Sequence, residues 1–212
     1  MKEIIEPIEK RVSLDEYLES LPNDAQRWEY RDGTVVDVRP STPVHGLLRT
    51  NLTGLITNSP FGKKCDVFLG DRELWLGDSN MLFYPDLVVV DGKNEMKKLS
   101  KYINATVNPT IVIEILSDFS EIYDLTTKRR CYKQMKSLEQ IIFVASKEKF
   151  IEISTRSKNN ERTWHVIEYF EDDEMIPIGD CVAQLKDIYE DVNFSIPKKE
   201  LSKSKILRGY LD

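Results

Sequence analysis

Two apolar runs, each interrupted by one carboxylate, constrain the fold of this chain more than any other feature. The first is YPDLVVV (Tyr84 to Val90), with Asp86 at its mouth; the second is PTIVIEILSD (Pro109 to Asp118), with Glu114 inside it. Leu87 to Val90 is continuously apolar, the pattern of a strand covered on both faces. From Ile111 to Leu116 the side chains alternate, so Ile111, Ile113 and Ile115 face one way and Val112, Glu114 and Leu116 the other. An ionised carboxylate in such a run is costly to desolvate unless it is paired, hydrogen-bonded or metal-bound. The two acids are therefore expected to meet as a divalent-metal site of hard oxygen ligands, suited to Mg²⁺ or Mn²⁺. A lone buried acid can also serve as a cap or an ion-pair partner.

The segment Ser120 to Lys136 is predicted to be a helix. Asp124, Lys128, Cys131 and Met135 recur on it at three- and four-residue steps and so share a face. Cys131, Tyr132 and Met135 turn that face inward, which aims Lys128 at the core. The competing reading is an Asp124–Lys128 surface ion pair worth only ~0.3–0.5 kcal/mol. Tyr132 is read as packing rather than chemistry.

Upstream, Ser13 to Glu16 is a capping-box pattern, followed by a short helix that Pro22-Asn23 ends. Asp32-Gly33 marks a hairpin within Arg27 to Pro40. Glu29, just before that turn, is placed to pair with Arg27 or Arg31. His45 opens a second helix, His45 to Thr57, and is placed either to hydrogen-bond a phosphate or carboxylate or to cap the helix. Cys65 to Leu76 reads as a strand pair turning at Gly70-Asp71, and Lys93 to Asn108 as a polar loop or short helix. A hairpin over Ile141 to Ser154, a strand at Trp164 to Phe170, a loop plus strand over Met175 to Leu185 and a short amphipathic piece to Tyr189 complete the domain. No repeat or linker divides it. The organisation expected is an extension (1–12), one domain (13–193) and a basic tail or helix (194–212).

A net charge of −6 and a pI near 5.2 argue against a protein that coats nucleic acid with its whole surface. A nuclease remains compatible, because it needs acids at the metal and basic groups only locally. Candidate patches are Lys97, Lys98 and Lys101, then Lys128, Arg129, Arg130 and Lys133, and the tail from Lys198 to Arg208; solvated charge is the plainer reading of each. Three widely spaced cysteines support neither zinc nor a disulfide framework. No apolar run spans a bilayer and the start lacks an apolar leader, so a cytoplasmic protein without membrane contact is expected. No helix-turn-helix, zinc module or Gly-rich phosphate loop is present.

The ordered set WEYRDGTVV, PSTPVH, YPDLVVV, VIEILS and D-x-x-x-K-x-x-x-Y, running through most of residues 13 to 190, resembles the PD-(D/E)xK phosphodiesterase superfamily. More narrowly it resembles the Uma2 family of restriction-endonuclease-like proteins. The dipeptide PD alone says little; the ordered set is specific. The resemblance implies an α+β fold, a restriction-endonuclease-like central mixed sheet flanked by helices, with the metal site at the sheet's edge. It implies that Asp86, Glu114 and the main-chain carbonyl of Ile115 hold Mg²⁺ or Mn²⁺, with Glu29 a third acid or water-positioning base and His45 and Asp124 as substrate or supporting contacts. One departure matters: the lysine of an E-x-K pattern would stand where this chain has Leu116, and Lys128 is the replacement. The expected activity is metal-dependent hydrolysis of DNA, in which a homodimer would supply two sites for two strands. The alternative is a non-catalytic module that keeps the fold and binds nucleic acid or protein.

Overall fold

The computed structural model describes residues 11–20, 27–37, 42–116 and 123–194. Residues 1–10 and the basic tail from 195 onward lie outside them, as do the Pro22-Asn23 helix stop and Ser117 to Ser120. In chain order the elements begin with α1 (Leu14–Ser20), β1 (Trp28–Arg31), β2 (Thr34–Asp37), α2 (Pro43–Asn58), β3 (Cys65–Leu69), β4 (Leu74–Leu76) and β5 (Met81–Phe83). There follow β6 (Leu87–Asp91), β7 (Met96–Lys98), β8 (Asn104–Thr106) and β9 (Ile111–Leu116). A π-helical turn (Asp124–Lys128) runs directly into α3 (Arg129–Tyr132). The chain then forms β10 (Gln140–Ala145), β11 (Ile151–Ser157), β12 (Asn160–Tyr169), β13 (Met175–Ile178), β14 (Cys181–Gln184) and α4 (Leu185–Ile188).

Local chemistry explains where the elements start and turn. Ser13 Oγ accepts from the Glu16 N–H at 3.2 Å while Glu16 Oε2 accepts from the Ser13 N–H at 2.7 Å, a reciprocal cap for α1. Asp32 and Gly33 both take positive φ, +45° and +99°, as the two-residue turn between β1 and β2 demands. Thr42 caps α2 by accepting from the His45 N–H, and Pro43 fills the first turn where a missing N–H costs nothing.

The strands form two mixed six-stranded sheets, ordered β2-β1-β5-β4-β8-β7 and β12-β11-β10-β9-β6-β3, and a β13–β14 ribbon. In the second sheet β9 and β10 are parallel and the other neighbours antiparallel. A parallel pair needs a crossover, and here the crossover carries the π turn and α3. The alternation read in Ile111 to Leu116 separates two cores: Ile111, Ile113 and Ile115 pack beneath α2 and α4, whereas Val112 and Leu116 pack with Tyr132, Phe83 and Leu74. Glu114 therefore enters the core that α3 roofs. No helix among the described residues is long and apolar enough to cross a membrane.

Three local expectations are corrected. Cys65 to Leu76 is not a strand pair: β3 pairs with β6 and β4 with β5, so the chain changes sheets at Gly70. Lys93 to Asn108 contains the short β7–β8 pair rather than loop or helix. Met175 to Leu185 holds two paired strands, turning through Gly179 at φ +58°.

Gly62, after α2, shows how closely the first core is packed. A Cβ there would collide with the Ile56 carbonyl and stand 2.9 Å from Cα of Thr57, both backbone atoms that cannot rotate aside. Gly54, within α2, has nothing within 4 Å of that position. Gly62→Ala is expected to destabilise by about 3 kcal/mol, the upper end of overpacking effects. Gly54→Ala is expected to stabilise by about 0.5–1 kcal/mol through lower chain entropy. Urea unfolding of both variants checks the pair, and equal effects would contradict this packing.

Candidate active site

Asp86 stands at the entrance of β6, where β6 runs beside β9 with Leu87 opposite Ile113. That register sets Asp86 next to Glu114 along the shared edge. Asp86 Oδ2 accepts the Ile115 N–H at 2.8 Å. The same oxygen lies 3.1 Å from His45 Nε2, which reaches it from the first turn of α2. The His45 backbone takes the helix cap and its ring takes the carboxylate, so both roles read from the sequence are filled by different atoms of one residue.

Glu114 meets the crossover. Its Oε1 accepts from Lys128 Nζ at 3.0 Å and from the Tyr132 hydroxyl at 2.5 Å. Lys128 Nζ also lies 2.9 Å from Glu29 Oε1 and 3.3 Å from Asp124 Oδ1, so one ammonium holds three carboxylates. All four charged groups are buried, at 2–5% exposure, which removes the surface ion pair as a reading of Asp124 and Lys128. It also removes Lys128 from the basic surface patch. Glu29 pairs with Arg31 (2.9 Å) rather than Arg27, and its Oε1 also accepts the Tyr84 N–H at 3.3 Å. Arg31 in turn lies 3.2 Å over the Tyr123 ring.

Burial and charge act in opposite directions on this cluster. Desolvation pushes the Glu114 carboxyl up to about 8, opposed by Lys128 and assisted by Asp124, Asp86 and Glu29. Burial would lower the Lys128 pKa, but Glu114, Glu29 and Asp124 together hold it well above the ordinary lysine range. Burial would raise Glu29, yet Lys128 and Arg31 keep it below the usual carboxylate value. With a proton on Glu114, the charges of Glu29 and Asp124 are matched by those of Lys128 and Arg31. Lys128 stays charged at neutral pH, so it can orient a nucleophile or offset developing charge but cannot accept a proton.

Asp86, Glu114, Lys128, Glu29, His45, Asp124 and the Ile115 backbone thus share one neighbourhood. Among the described residues no three His, Cys, Asp or Glu side chains are grouped to hold a cation by themselves. Mg²⁺ does not require that, because it keeps several waters and takes one or two carboxylates. The hydrogen bonds to Asp86 and Glu114 fall on Oδ2 and Oε1; their second oxygens accept none among the described residues. The Ile115 carbonyl leaves the strand on the same edge as its N–H, toward Asp86. The donor set fits such an ion.

Tyr132 and Arg31 belong to the site, whereas sequence alone assigns Tyr132 to packing and Arg31 only a pairing role. The eight-residue step from Asp124 to Tyr132 was the available signal for the tyrosine. The Tyr123 platform under Arg31 had none.

A sequence profile of the Uma2 family, described as "Putative restriction endonuclease", matches residues 14–191. Two uncharacterized proteins of Synechocystis sp. are similar. One, sll1609, is 24% identical over 135 residues, covering 64% of this chain and 75% of that protein. The other, slr1290, is 25% identical over 159 residues, covering 75% and 80%. A crystal structure from Anabaena variabilis, described as a putative nuclease belonging to DUF820, superposes with a TM-score of 0.67 at 18% identity, covering 84% of this chain and 97% of that one. That likeness bears out the expected nuclease-type fold of mixed sheets and flanking helices. With its profile matched across residues 14–191, from the first to the last of the described helices, the chain belongs to the Uma2 family of restriction-endonuclease-like proteins.

Proposed function

We propose that this protein is a metal-dependent nuclease that hydrolyses phosphodiester bonds in DNA. The observation that carries this reading is the buried placement of Lys128 against Glu114, one strand register away from Asp86. Evolving charge on a phosphate needs cations held in a low-dielectric site, and this arrangement supplies one from the chain and a place for another.

Asp86, Glu114 and the Ile115 carbonyl would hold Mg²⁺ or Mn²⁺. Such an ion, when bound, polarises a phosphoryl oxygen and lowers the pKa of water. The rest falls to the chain. His45 fixes Asp86 through Nε2, and the Ile115 N–H fixes the same oxygen. Tyr132 fixes Glu114. Lys128, permanently charged, positions the attacking water and offsets charge on the phosphorus oxygens, while Glu29 and Asp124 hold the ammonium in place.

Supercoiled plasmid DNA incubated with the purified protein is expected to be nicked or linearised with Mn²⁺ or Mg²⁺ and to stay intact in EDTA. Duplex DNA should bind weakly or not at all in EDTA and measurably in Ca²⁺, since the acids at the site repel a polyanion until a cation is present. Equal binding in both buffers with no cleavage in Mn²⁺ would favour a non-catalytic binding module.

A further inference from the structure

From the arginines gathered around Gly70, we infer a second, substrate-holding site for a nucleic-acid backbone phosphate beside the proposed metal centre. The inference rests on the nuclease reading and adds to it where the substrate is gripped. Gly70 follows β3, at the point where the chain changes sheets, and its N–H donates to the Asp86 carbonyl at 2.8 Å. It is thus one hydrogen bond from the residue assigned to the metal.

Two guanidinium groups converge on this glycine. A Cβ at Gly70 would lie 2.5 Å from Nη1 of Arg49 and 3.4 Å from Nη1 of Arg27, so the missing side chain is what lets Arg49 close in beside Arg27. Nitrogens this near a common point can be bridged by the oxygens of one phosphate. Arg27 is anchored by donating to the Gly70 carbonyl. Arg49 sits one turn after His45 on α2, so a single helix face presents the Asp86 partner and a cation. Among the described residues the Arg49 guanidinium has no carboxylate or carbonyl partner, although the residue is half-buried.

Arg72 adds a third charge two residues beyond Gly70. Its Nε donates to Thr106 Oγ1 at 2.8 Å, its guanidinium lies 4.7 Å over the Phe68 ring, and its Nη2 is buried with no hydrogen-bond partner. Burial raises the Glu73 carboxyl, and Arg72 and Arg27 both oppose that rise, so each lies within electrostatic reach of it. Against these three cations stand Asp71, exposed, and Glu73. The Arg27 and Arg49 guanidiniums, both drawn toward Gly70, repel until an anion joins them, and the anion that a nuclease presents beside its metal is a phosphate flanking the scissile bond. Contacts of this kind position the backbone without reading sequence.

The test measures binding of a 20-base-pair duplex in Ca²⁺ across a salt series for wild type, Arg49→Ala and Arg49→Lys, with calorimetric Ca²⁺ binding of each. Arg49→Ala is expected to reduce the slope of log affinity against log salt by about 1, equally for unrelated sequences, while Ca²⁺ binding is unchanged. Arg49→Lys should restore most of the slope. An unchanged slope in Arg49→Ala overturns the phosphate site and leaves the metal reading standing. A reduced slope in a protein that binds no Ca²⁺ keeps the phosphate site and overturns the metal reading. Absence of duplex binding by the wild type at about 50 mM salt, where phosphate contacts are strongest, overturns both.

Discussion

Lys128→Met is expected to destabilise the protein by about 3–5 kcal/mol, the cost of removing one partner from a buried ionic cluster. Methionine fills nearly the same volume, so the loss reflects charge and not a cavity. Glu29, Glu114 and Asp124 would be left buried around an apolar group, with Arg31 still paired with Glu29. A domain of this size has only about 5–15 kcal/mol to lose. The pH dependence identifies the cause. In the wild type, Glu29 has a depressed pKa, so its contribution is present above the ordinary carboxylate value and lost as pH falls through the depressed one. Lys128 has a raised pKa, and its contribution is present below the ordinary lysine value and lost only as pH rises through the raised one. Glu114, raised to about 8, already lowers wild-type stability as pH climbs from the ordinary carboxylate value to about 8. In the variant Lys128 no longer opposes burial at any of the carboxylates, so that loss with rising pH is larger. The difference between the two proteins should therefore widen from pH 5 to pH 8 in urea unfolding. A loss below about 1 kcal/mol, the range of exposed pairs, or a difference independent of pH would show that Lys128 does not hold the cluster. Cleavage should disappear with the same change, at temperatures where the variant is still folded.

The parts of this arrangement that were legible in the sequence are those written in local periodicity. Ile111 to Leu116 alternates strictly, and each half of the alternation fills a different core, so the face carrying Glu114 follows from counting by twos. Asp124 and Lys128 were placed together by helical spacing, and they are together, although through a π turn whose wider winding no local pattern announces. Choice of strand partner was not legible. Gly70-Asp71 carries every mark of a hairpin turn, yet Phe68 lies opposite Val88 and Leu74 opposite Phe83, because long-range pairing in two sheets outweighs a local turn signal. The three-residue strands β7 and β8 are too short to display an alternation. A hydroxyl bond such as Tyr132 to Glu114 is likewise invisible in sequence, where an inward tyrosine always looks like packing.

Asp86→Ala and His45→Ala touch the same carboxylate oxygen and are expected to differ sharply. Asp86→Ala removes a ligand of the proposed ion. With only Glu114 and a backbone carbonyl remaining, and Glu114 inclined by burial to keep its proton, Mn²⁺ binding should fall below detection in calorimetry and plasmid cleavage should stop. Its stability cost should be small, because Asp86 is the less deeply buried of the two acids and no cation depends on it as Glu29, Glu114 and Asp124 depend on Lys128. His45→Ala leaves the ligand and removes what orients it. The Ile115 N–H still holds Oδ2, so Mn²⁺ affinity should drop by about 10–100-fold, the usual effect of a group that supports a ligand, and cleavage should return at higher Mn²⁺. Recovery separates an orienting histidine from one that binds substrate, since added metal cannot replace a lost phosphate contact. Wild-type Mn²⁺ binding that persists in Asp86→Ala would move the ion elsewhere in the molecule. No binding in the wild type would leave Asp86 and His45 as a strand-to-helix clasp, with Lys128 and its three carboxylates as a structural cluster.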